Sequence, residues 1–423
     1  WLGERAEALG VTLLNETAGV KVLVREGSVY GVRTGDKGRD RDGQPMPNFE
    51  PGVDVRARCT VFGEGTQGHC TQAVLDHFGV RRANPQVYAL GVKEVWEVPR
   101  PLARVVHTMG WPLRLGRRHR EFGGSFAYPM GPDTIALGLV VGLDTADASL
   151  SVHDLLQDLK THPFFRTMLA GGRRAEQGWG AKTIPEGGFY ALPERLHVPG
   201  ACFIGDAAGF VNVPALKGVH YAMWSGIHAA EAIFAALRAV SPGGGVAAIP
   251  AAALAAYDAA VRESVIWRDL YRVRNMRQAF QYGFGAGAAL AGLMTLTRGA
   301  FPGWRFSTRP DAAHAVVLPR ANLPPRRYDS RLTFDKLTSV HAAGNRSRDN
   351  QPSHLRVAAT PSHAVGEAWI HMCPAAVYEW APDGAARALR INPGNCIHCG
   401  AITAKGGRLT PPEGGSGPEY TQM

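Results

Sequence analysis

The stretch Ile204-Gly-Asp-Ala-Ala-Gly-Phe210 decides how the middle of this 423-residue chain is interpreted. It follows the apolar run Ala201-Cys-Phe203, so a predicted strand ends in Gly-Asp and leads through small residues toward a helix. Glycine and alanine allow a ligand to approach the backbone closely, and Asp206 can accept a hydrogen bond from a ribose or ribityl hydroxyl. The pattern favours a flavin site, although an ordinary tight strand-to-helix turn has the same composition.

A long, mostly apolar helix is predicted over residues 219–239, beginning just after Gly218. The positive N-terminal end of this helix points back toward Asp206 and would stabilise negative charge on a reduced flavin. A second clue is Gly63-Glu64-Gly65, which follows a single predicted strand over residues 56–62. A convincing phosphate-binding G-x-G-x-x-G is missing, because no strand precedes the partial match at Gly283-Phe-Gly285.

Composition indicates a globular protein of two or three domains, with 45% hydrophobic and 19% charged residues. The net charge of +10 raises the question of nucleic acid, but the basic residues are dispersed and no DNA-binding motif is present. We therefore expect no nucleic-acid partner, and favour an anionic lipid surface or an acidic protein. Six cysteines in a chain of this length do not make a disulfide scaffold.

Strands are predicted to dominate residues 85–145, and a helix is predicted from residue 251 to about residue 274. Residues 36–51 are interpreted as a polar loop, because glycine, aspartate, arginine and proline are frequent there.

Residues 278–297 carry no charge, and this uncharged segment has about the length that a membrane span requires. The segment is rich in glycine and alanine but poor in bulky apolar residues, which weakens a spanning interpretation. Arg277 and Arg298 flank it and Trp304 follows, so we predict a segment that dips into one leaflet with cationic and aromatic anchors. The alternative is a buried helical hairpin.

Two cysteine motifs stand near the end of the chain, Cys373-Pro374 and Asn395-Cys396-Ile-His-Cys399-Gly400. A Cys-Pro together with a Cys-x-x-Cys is typical of iron–sulfur ligation. A further cysteine is expected near position 402, where this chain has Ile402. Two alternatives stay open: a zinc site with His398 as the fourth ligand, or cysteines with a structural role only.

These motifs and their order resemble the electron transfer flavoprotein–ubiquinone oxidoreductase family over nearly the whole chain. Further stretches that match are Gly110-Trp-Pro-Leu113, Phe122-Gly-Gly-Ser-Phe126, Gln351-Pro-Ser-His-Leu355 and Pro412-Glu-Gly-Gly415. The resemblance implies an α+β fold with a ferredoxin-like iron–sulfur domain at the C-terminus. The implied domains are a partial FAD-binding two-dinucleotide-fold domain (1–75 and 190–275), a β-rich quinone-binding domain (76–189), a membrane-associated helical segment and linker (276–345) and a ferredoxin-like 4Fe-4S domain (346–423).

The resemblance also implies an electron-transferring-flavoprotein dehydrogenase. Such an enzyme passes electrons from reduced electron transfer flavoprotein to ubiquinone through FAD and one [4Fe-4S] cluster, without acid–base residues. It would be monotopic on the cytoplasmic face of a bacterial inner membrane, or on the mitochondrial inner membrane in a eukaryote. The implied site residues are Glu64, Gly65, Gly205, Asp206, Asn212 and Gly218 for FAD, Phe122, Gly123 and Gly124 for the quinone headgroup, and Cys373, Cys396 and Cys399 for the cluster.

Two departures from the family pattern modify these expectations. The family's first Rossmann unit is absent here, so we expect further sequence before Trp1 and weak or no FAD retention by this chain alone. With three cysteines, the site would hold a [3Fe-4S] cluster, a [4Fe-4S] cluster with a non-cysteine ligand, or no cluster. The alternative functions are a geranylgeranyl-reductase-like flavoprotein and a truncated remnant that acts as a binding module.

Overall fold

The computed structural model describes residues 1–100, 102–115, 121–239, 247–314, 326–358, 360–382 and 388–421. Helices and sheets of several sizes alternate along the chain, which confirms the predicted α+β class. The helices are α1 (Leu2–Ala8), α2 (His69–His77), α3 (Val152–Thr161), α4 (Pro163–Leu169), α5 (Gly205–Ala208), α6 (Val219–Ala239), α7 (Ala251–Glu263), α8 (Val265–Arg272), α9 (Met276–Ala279), α10 (Phe284–Leu296), α11 (Lys336–His341), α12 (His363–Met372) and α13 (Ala401–Ala404). The strands are β1 (Gly19–Arg25), β2 (Ser28–Thr34), β3 (Lys37–Arg39), β4 (Pro45–Glu50), β5 (Asp54–Arg56), β6 (Thr60–Phe62), β7 (Tyr88–Glu97), β8 (Val106–Met109), β9 (Gly123–Pro129), β10 (Thr134–Gly142), β11 (Arg173–Pro185), β12 (His197–Val198), β13 (Ala201–Phe203), β14 (Leu355–Arg356), β15 (Tyr378–Trp380), β16 (Leu389–Ile391) and β17 (Arg408–Leu409).

The largest sheet has the strand order β11-β7-β10-β9-β8, and neighbouring strands are antiparallel. Strand β10 lies in the middle, and Ile135, Ala136 and Leu137 are fully buried in succession. Consecutive buried residues on both faces of a strand are typical of a central strand. The strands predicted within residues 85–145 therefore belong to this one sheet.

Helix α3 packs against β7 and β10. Ser151 begins the helix by accepting a hydrogen bond at its Oγ from the Asp154 N–H at 3.3 Å, the usual role of an N-cap serine. Leu155, Leu156 and Leu159 form the buried apolar face. A buried ion pair between Lys160 of α3 and Glu94 of β7 adds a polar attachment at the same interface.

A smaller sheet, β12-β13-β6, carries the segment that begins with Ile204. Its core includes Phe62, Phe203, Tyr221 and Tyr257, so β6, β13, α6 and α7 pack around one apolar centre. The helix predicted over residues 219–239 is confirmed as α6. The helix predicted over residues 251–274 is interrupted, because Ser264 adopts an extended conformation and caps α8.

Two predictions near the beginning of the chain are wrong. Residues 36–51 are not a loop but contain the hairpin β3–β4, whose turn is stabilised by the Asp40 carboxylate accepting from the Asp42 and Gln44 N–H groups. Residues 56–62 are not one strand. The chain leaves β5, which pairs with β2, and enters β6, which pairs with β13 in a different sheet.

The C-terminal module consists mainly of α12, α13 and two sheets of two strands each. Strand β14 pairs with β17 in one sheet, and β15 pairs with β16 in the other. Leu90 and Leu139 of the large sheet share one hydrophobic core with Trp369, Cys396 and Ile402 of this module. The two parts are thus packed together. The predicted domain bounds stay predictions, and part of the predicted linker, residues 315–325, lies outside the described residues.

Candidate functional site

The two glycine-containing segments predicted to contact a flavin meet at one sheet edge. Because β6 and β13 are parallel, with Phe62 opposite Phe203, the chain leaves both strands at the same edge. A Cβ atom added at Gly63 would lie 3.3 Å from the Ile204 side chain, so the two segments are in contact. Gly205 has φ of 55°, and its N–H donates to Ser225 Oγ of α6 at 3.0 Å.

Asp206 lies beside the first turn of α6. A Cβ atom added at Gly218 would be 3.6 Å from Asp206 Oδ1, which places the carboxylate next to the residue preceding the helix. Burial raises the pKa of Asp206. A ligand at this place would meet a carboxylate acceptor and the positive end of a 21-residue helix together.

The Glu64 carboxylate accepts hydrogen bonds from backbone N–H groups at the N-terminus of α2. Its Oε1 accepts from the Cys70 N–H at 3.0 Å, and its Oε2 accepts from the Thr71 N–H at 2.6 Å. Gly65, at the next position, has φ of 75°, a conformation that favours glycine. The carboxylate thus fixes the turn after β6, and direct contact of either residue with FAD stays a prediction.

Asn212 likewise stabilises its own loop. Its Nδ2 donates to the Tyr221 hydroxyl at 3.4 Å, and its Oδ1 accepts from the Ala215 N–H at 3.1 Å. Asn212 also exchanges backbone hydrogen bonds with Lys217, which closes the loop in front of α6. Direct contact of Asn212 with FAD stays a prediction.

The predicted quinone residues lie where the large sheet meets α9. The Phe122 ring packs against Phe280, with 4.5 Å between ring centroids. Gly123 and Gly124 begin β9, and a Cβ atom at Gly124 would clash with the carbonyl oxygen of Thr108. The two glycines therefore permit close strand approach, and their contact with a quinone headgroup stays a prediction.

Arg277 lies against the predicted quinone site. Its guanidinium is 4.3 Å from the centroid of the Phe122 ring. Its Nε donates to Glu186 at 2.7 Å and its Nη2 donates to Asp144 at 2.8 Å. Burial opposes charge on Arg277, but the two carboxylates outweigh it and raise its pKa. The prediction of Arg277 as a cationic anchor at a membrane interface is wrong, because this side chain is buried and paired inside the protein.

The uncharged segment turns back on itself through α9, a short 3-10 turn and α10. Gly287 packs closely against Phe280, so one side of α10 is covered. The opposite side is not buried, since Leu296 is 83% exposed and the nearby Trp304 is 62% exposed. In the part of the chain that the structure describes, we find no helix with the length and apolar character needed to span a bilayer.

Three thiols come together in the C-terminal module. Cys373 directly follows α12 as its C-cap, Cys396 follows a short 3-10 turn, and Cys399 lies just before α13. Burial raises the pKa of Cys396, and the neighbouring Cys399 and Cys373 thiols raise it further. Burial and Cys373 raise the pKa of Cys399 to about 12. The three thiols influence one another because they are close in space, and none is in a disulfide.

Backbone N–H groups surround the three sulfurs. They belong to Ala375 and Val377 at Cys373, to His398 at Cys396 and to Ala401 at Cys399, and each opposes the rise in pKa caused by burial. Two cations lie nearby, Lys336 at Cys373 and Lys182 at the other two thiols. Hydrogen bonds to the sulfurs and nearby charge tune an iron–sulfur cluster and compensate the charge of its thiolate ligands, so the surroundings of the three cysteines fit this group.

Sequence reasoning overlooked His354, a buried imidazole beside the thiols. One ligand atom each from His354, Cys396 and His398 lie within 4.8 Å of one another. Burial lowers the pKa of His354 to about 4 and that of His398 to about 3, so both rings are neutral at pH 7. The segment Gln351-Pro-Ser-His-Leu355 has no ligand spacing, and only the folded chain brings His354 to Cys396.

The predicted flavin edge and the cysteine loop are joined through Thr183 of β11. The Thr183 N–H donates to the Cys399 carbonyl at 2.8 Å. Its Oγ1 lies 3.1 Å from Thr66 Oγ1, and Thr66 directly follows Gly65. One residue therefore connects the turn after β6 with the backbone of a predicted cluster ligand.

Comparison with known proteins gives matches along the chain. A family model described as "ETF-QO, ubiquinone-binding" matches residues 88–184, and one described as "Electron transfer flavoprotein-ubiquinone oxidoreductase, 4Fe-4S" matches residues 330–421. The mitochondrial electron transfer flavoprotein-ubiquinone oxidoreductase of Caenorhabditis elegans is 38% identical over 447 residues, which cover 100% of this chain and 73% of the relative. The Homo sapiens protein of the same name is 36% identical over 449 residues, with 100% and 71% covered.

A solved structure with a similar fold is a geranylgeranyl bacteriochlorophyll reductase-like protein from Thermoplasma acidophilum. Its TM-score is 0.51 at 15% identity, over 70% of this chain and 65% of that chain. At this identity the likeness concerns the fold alone.

Proposed function

Because the chain belongs to the electron transfer flavoprotein–ubiquinone oxidoreductase family, we propose that it passes electrons from reduced electron transfer flavoprotein to ubiquinone. FAD and a [4Fe-4S] cluster supply the electron-carrying chemistry when they are bound. The observation that carries the proposal is the Thr66–Thr183–Cys399 contact, which joins the predicted flavin edge to the predicted cluster loop. The protein's task is to hold its redox groups close together and to tune them.

On the flavin side, a Cβ atom at Gly65 would meet nothing within 4 Å, so FAD can approach the backbone there, and Gly205 and Gly218 let the turn after β13 and the start of α6 pack closely beside it. Asp206 would accept a hydrogen bond from a cofactor hydroxyl, and the N-terminal end of α6 would stabilise negative charge on FAD. We keep Glu64 and Asn212 in this site, where their contacts hold the adjoining loops in position.

On the cluster side, Cys373, Cys396 and Cys399 act as thiolate ligands. The backbone N–H groups around them disperse the thiolate charge, and Lys182 and Lys336 add positive potential. Hydrogen bonds to sulfur and burial are the main means by which a protein sets the potential of such a cluster.

For the quinone we propose a headgroup site at Phe122, Gly123 and Gly124. The Arg277 guanidinium behind the Phe122 ring holds it in place. The exposed apolar face of α10, with Leu296, and the nearby Trp304 would contact the lipid surface, and the net charge of +10 favours anionic headgroups. We infer monotopic attachment at the inner membrane, on the cytoplasmic face in a bacterium or in the mitochondrion of a eukaryote.

The test uses the protein that carries this chain, purified anaerobically and supplied with FAD, reduced electron transfer flavoprotein and a soluble ubiquinone analogue. We expect reduction of the quinone analogue that requires both electron transfer flavoprotein and this protein. A preparation that binds FAD and iron but reduces no quinone would refute the proposal and favour the binding-module alternative. The geranylgeranyl-reductase-like alternative is not proposed, because residues 330–421 match the family's 4Fe-4S module.

A further inference from the structure

His354 is a buried histidine without a visible polar role. Its side chain is 3% exposed. Neither Nδ1 nor Nε2 has a hydrogen-bond partner among the residues that the structure describes. Buried polar atoms are nearly always hydrogen-bonded, so an imidazole with two unpartnered nitrogens indicates that it binds something else.

Two side chains that can bind metal, Cys396 and His398, adjoin His354. One of its ring nitrogens, a ring nitrogen of His398 and the Cys396 sulfur lie within 4.8 Å of one another. The two imidazole rings are nearly perpendicular, at 83°, with centroids 4.8 Å apart. The Thr410 N–H and Oγ1 both donate to the His354 carbonyl at 2.9 Å, so the backbone is held while the ring nitrogens stay available.

The cluster site lacks a fourth thiolate. Ile402 stands where a further cysteine is expected, and it is buried against Val357 and Gly407. The remaining cysteines of the chain are elsewhere: Cys59 and Cys202 adjoin each other, and the Cys70 sulfur lies 3.5 Å from the Gly19 carbonyl oxygen. A [4Fe-4S] cluster here needs a ligand that is not cysteine.

We propose that His354 is the fourth ligand of the iron–sulfur cluster, completing the set formed by Cys373, Cys396 and Cys399. This inference rests on the proposed function, since it assumes that the cluster is present. One ring nitrogen gives its lone pair to iron and the other keeps its proton, so no proton is released. A thiolate ligand would instead have lost its proton.

His354 suits this role better than His398. His398 lies between Cys396 and Cys399 and is directly next to Cys399, whereas successive ligands in an iron–sulfur loop are separated by two residues. The His398 ring also packs closely against Gly417, and its carbonyl accepts from Lys182 Nζ at 2.9 Å. His354 comes from β14's N-terminal side, a separate segment of the module.

Replacing an anionic thiolate by a neutral imidazole makes the cluster less negative by one charge. Histidine ligation raises the potential of iron–sulfur centres for this reason. The cluster of this protein is therefore expected to be easier to reduce than an otherwise identical all-cysteine cluster.

The decisive experiment is pulsed EPR of the reduced cluster in protein labelled with 15N-histidine. We expect a nitrogen coupling of the size given by a directly bound ring nitrogen. The coupling should be lost in His354→Ala and kept in the matched control His398→Ala. Coupling that is lost in the control variant and kept in His354→Ala would overturn the proposal.

A second variant, His354→Cys, covers the case in which His354→Ala does not fold. We expect it to hold four irons and to have a lower cluster potential than the wild type, measured by EPR-monitored redox titration. An unchanged potential would overturn the proposal. So would an oxidised three-iron signal in the native protein, or bound zinc in place of iron. These readouts do not require electron transfer flavoprotein, so they can fail while quinone reduction succeeds, and the reverse.

Discussion

Replacing Lys160 by methionine should destabilise the large-sheet domain by about 3–5 kcal/mol, the usual cost of removing one partner of a buried ion pair. Lys160 Nζ lies 3.0 Å and 2.8 Å from the two carboxylate oxygens of Glu94. Both side chains are 0% exposed. Methionine has a similar length, so the change removes the charge and leaves little empty space.

The magnitude follows from what remains around Glu94. The carboxylate still accepts from the Trp96 Nε1–H at 2.8 Å and from Gln157 Nε2 at 3.3 Å, while Arg174 lies 3.7 Å away. These groups compensate part of the buried charge, which keeps the loss within the range for buried pairs. Because the large sheet shares its core with the C-terminal module, we treat both as one unit of about 150–250 residues, for which the melting temperature changes by about 2–4 °C per kcal/mol. The melting temperature should therefore fall by about 6–20 °C.

Thermal unfolding followed by tryptophan fluorescence is a suitable assay, because Trp96 and Trp179 are buried in this domain. The matched control is the double variant Lys160→Met/Glu94→Gln, which leaves no unpaired carboxylate and should recover much of the lost stability. A single variant within about 0.5 kcal/mol of the wild type, as for a surface substitution, would refute the reasoning.

The acid side of the stability curve gives an independent check. Burial alone would raise the pKa of Glu94, but Lys160 and Arg174 outweigh it and hold the pKa below its ordinary value of 4.5. The resulting stabilisation is complete above pH 4.5 and is lost as the pH falls through the lower folded value. In Lys160→Met this loss on acidification should become smaller.

Two further predictions concern the proposed sites, and a third concerns Asp311, a buried carboxyl whose Oδ2 accepts from the Tyr88 N–H at 2.9 Å. Phe122→Ala should raise the KM for quinone about three- to tenfold, as expected for loss of an aromatic contact. It should not slow reduction of the protein by electron transfer flavoprotein. Equal effects on quinone reduction and on reduction by electron transfer flavoprotein would contradict the assignment of Phe122 to the quinone site. Cys399→Ser should remove the cluster EPR signal and most of the bound iron, whereas Cys70→Ser should keep both. Burial raises the pKa of Asp311 well above its ordinary value of 3.8, so the contribution of this carboxyl to stability should fall as the pH rises above 3.8, because the unfolded chain releases the proton first. Asp311→Asn should remove this contribution, so that the melting temperature falls less, or rises more, with pH than in the wild type. An unchanged slope would contradict a protonated carboxyl.

Much of the cofactor chemistry could be predicted because its signals are local. Cys396 and Cys399, which we predict to be cluster ligands, are three residues apart, and Cys373 is marked by the proline that follows it. Helix α6 was recognised from its long apolar run, and the turn at Gly205 from glycine at the end of a strand. Each of these signals depends on residues that are neighbours in the chain.

The predictions that were wrong concern contacts between residues that are distant in the sequence. Residues 56–62 appear continuous in composition, but the chain changes sheets there because β5 and β6 find different partners. Arg277 looked like a membrane anchor because it precedes an uncharged segment, yet Glu186 and Asp144, distant in the sequence, draw it into the interior.

The sequence by itself determined the family and the α+β class, and it predicted the three cysteine ligands, because ligand spacing and glycines at strand ends are properties of residues that are close together in the sequence. Only the tertiary structure decided that Thr183 joins Thr66 to Cys399, and that His354 lies beside Cys396. The physical reason is that these contacts link segments far apart in the chain. Their distances are set by how the large sheet and the C-terminal module pack around a shared core, which no local pattern encodes.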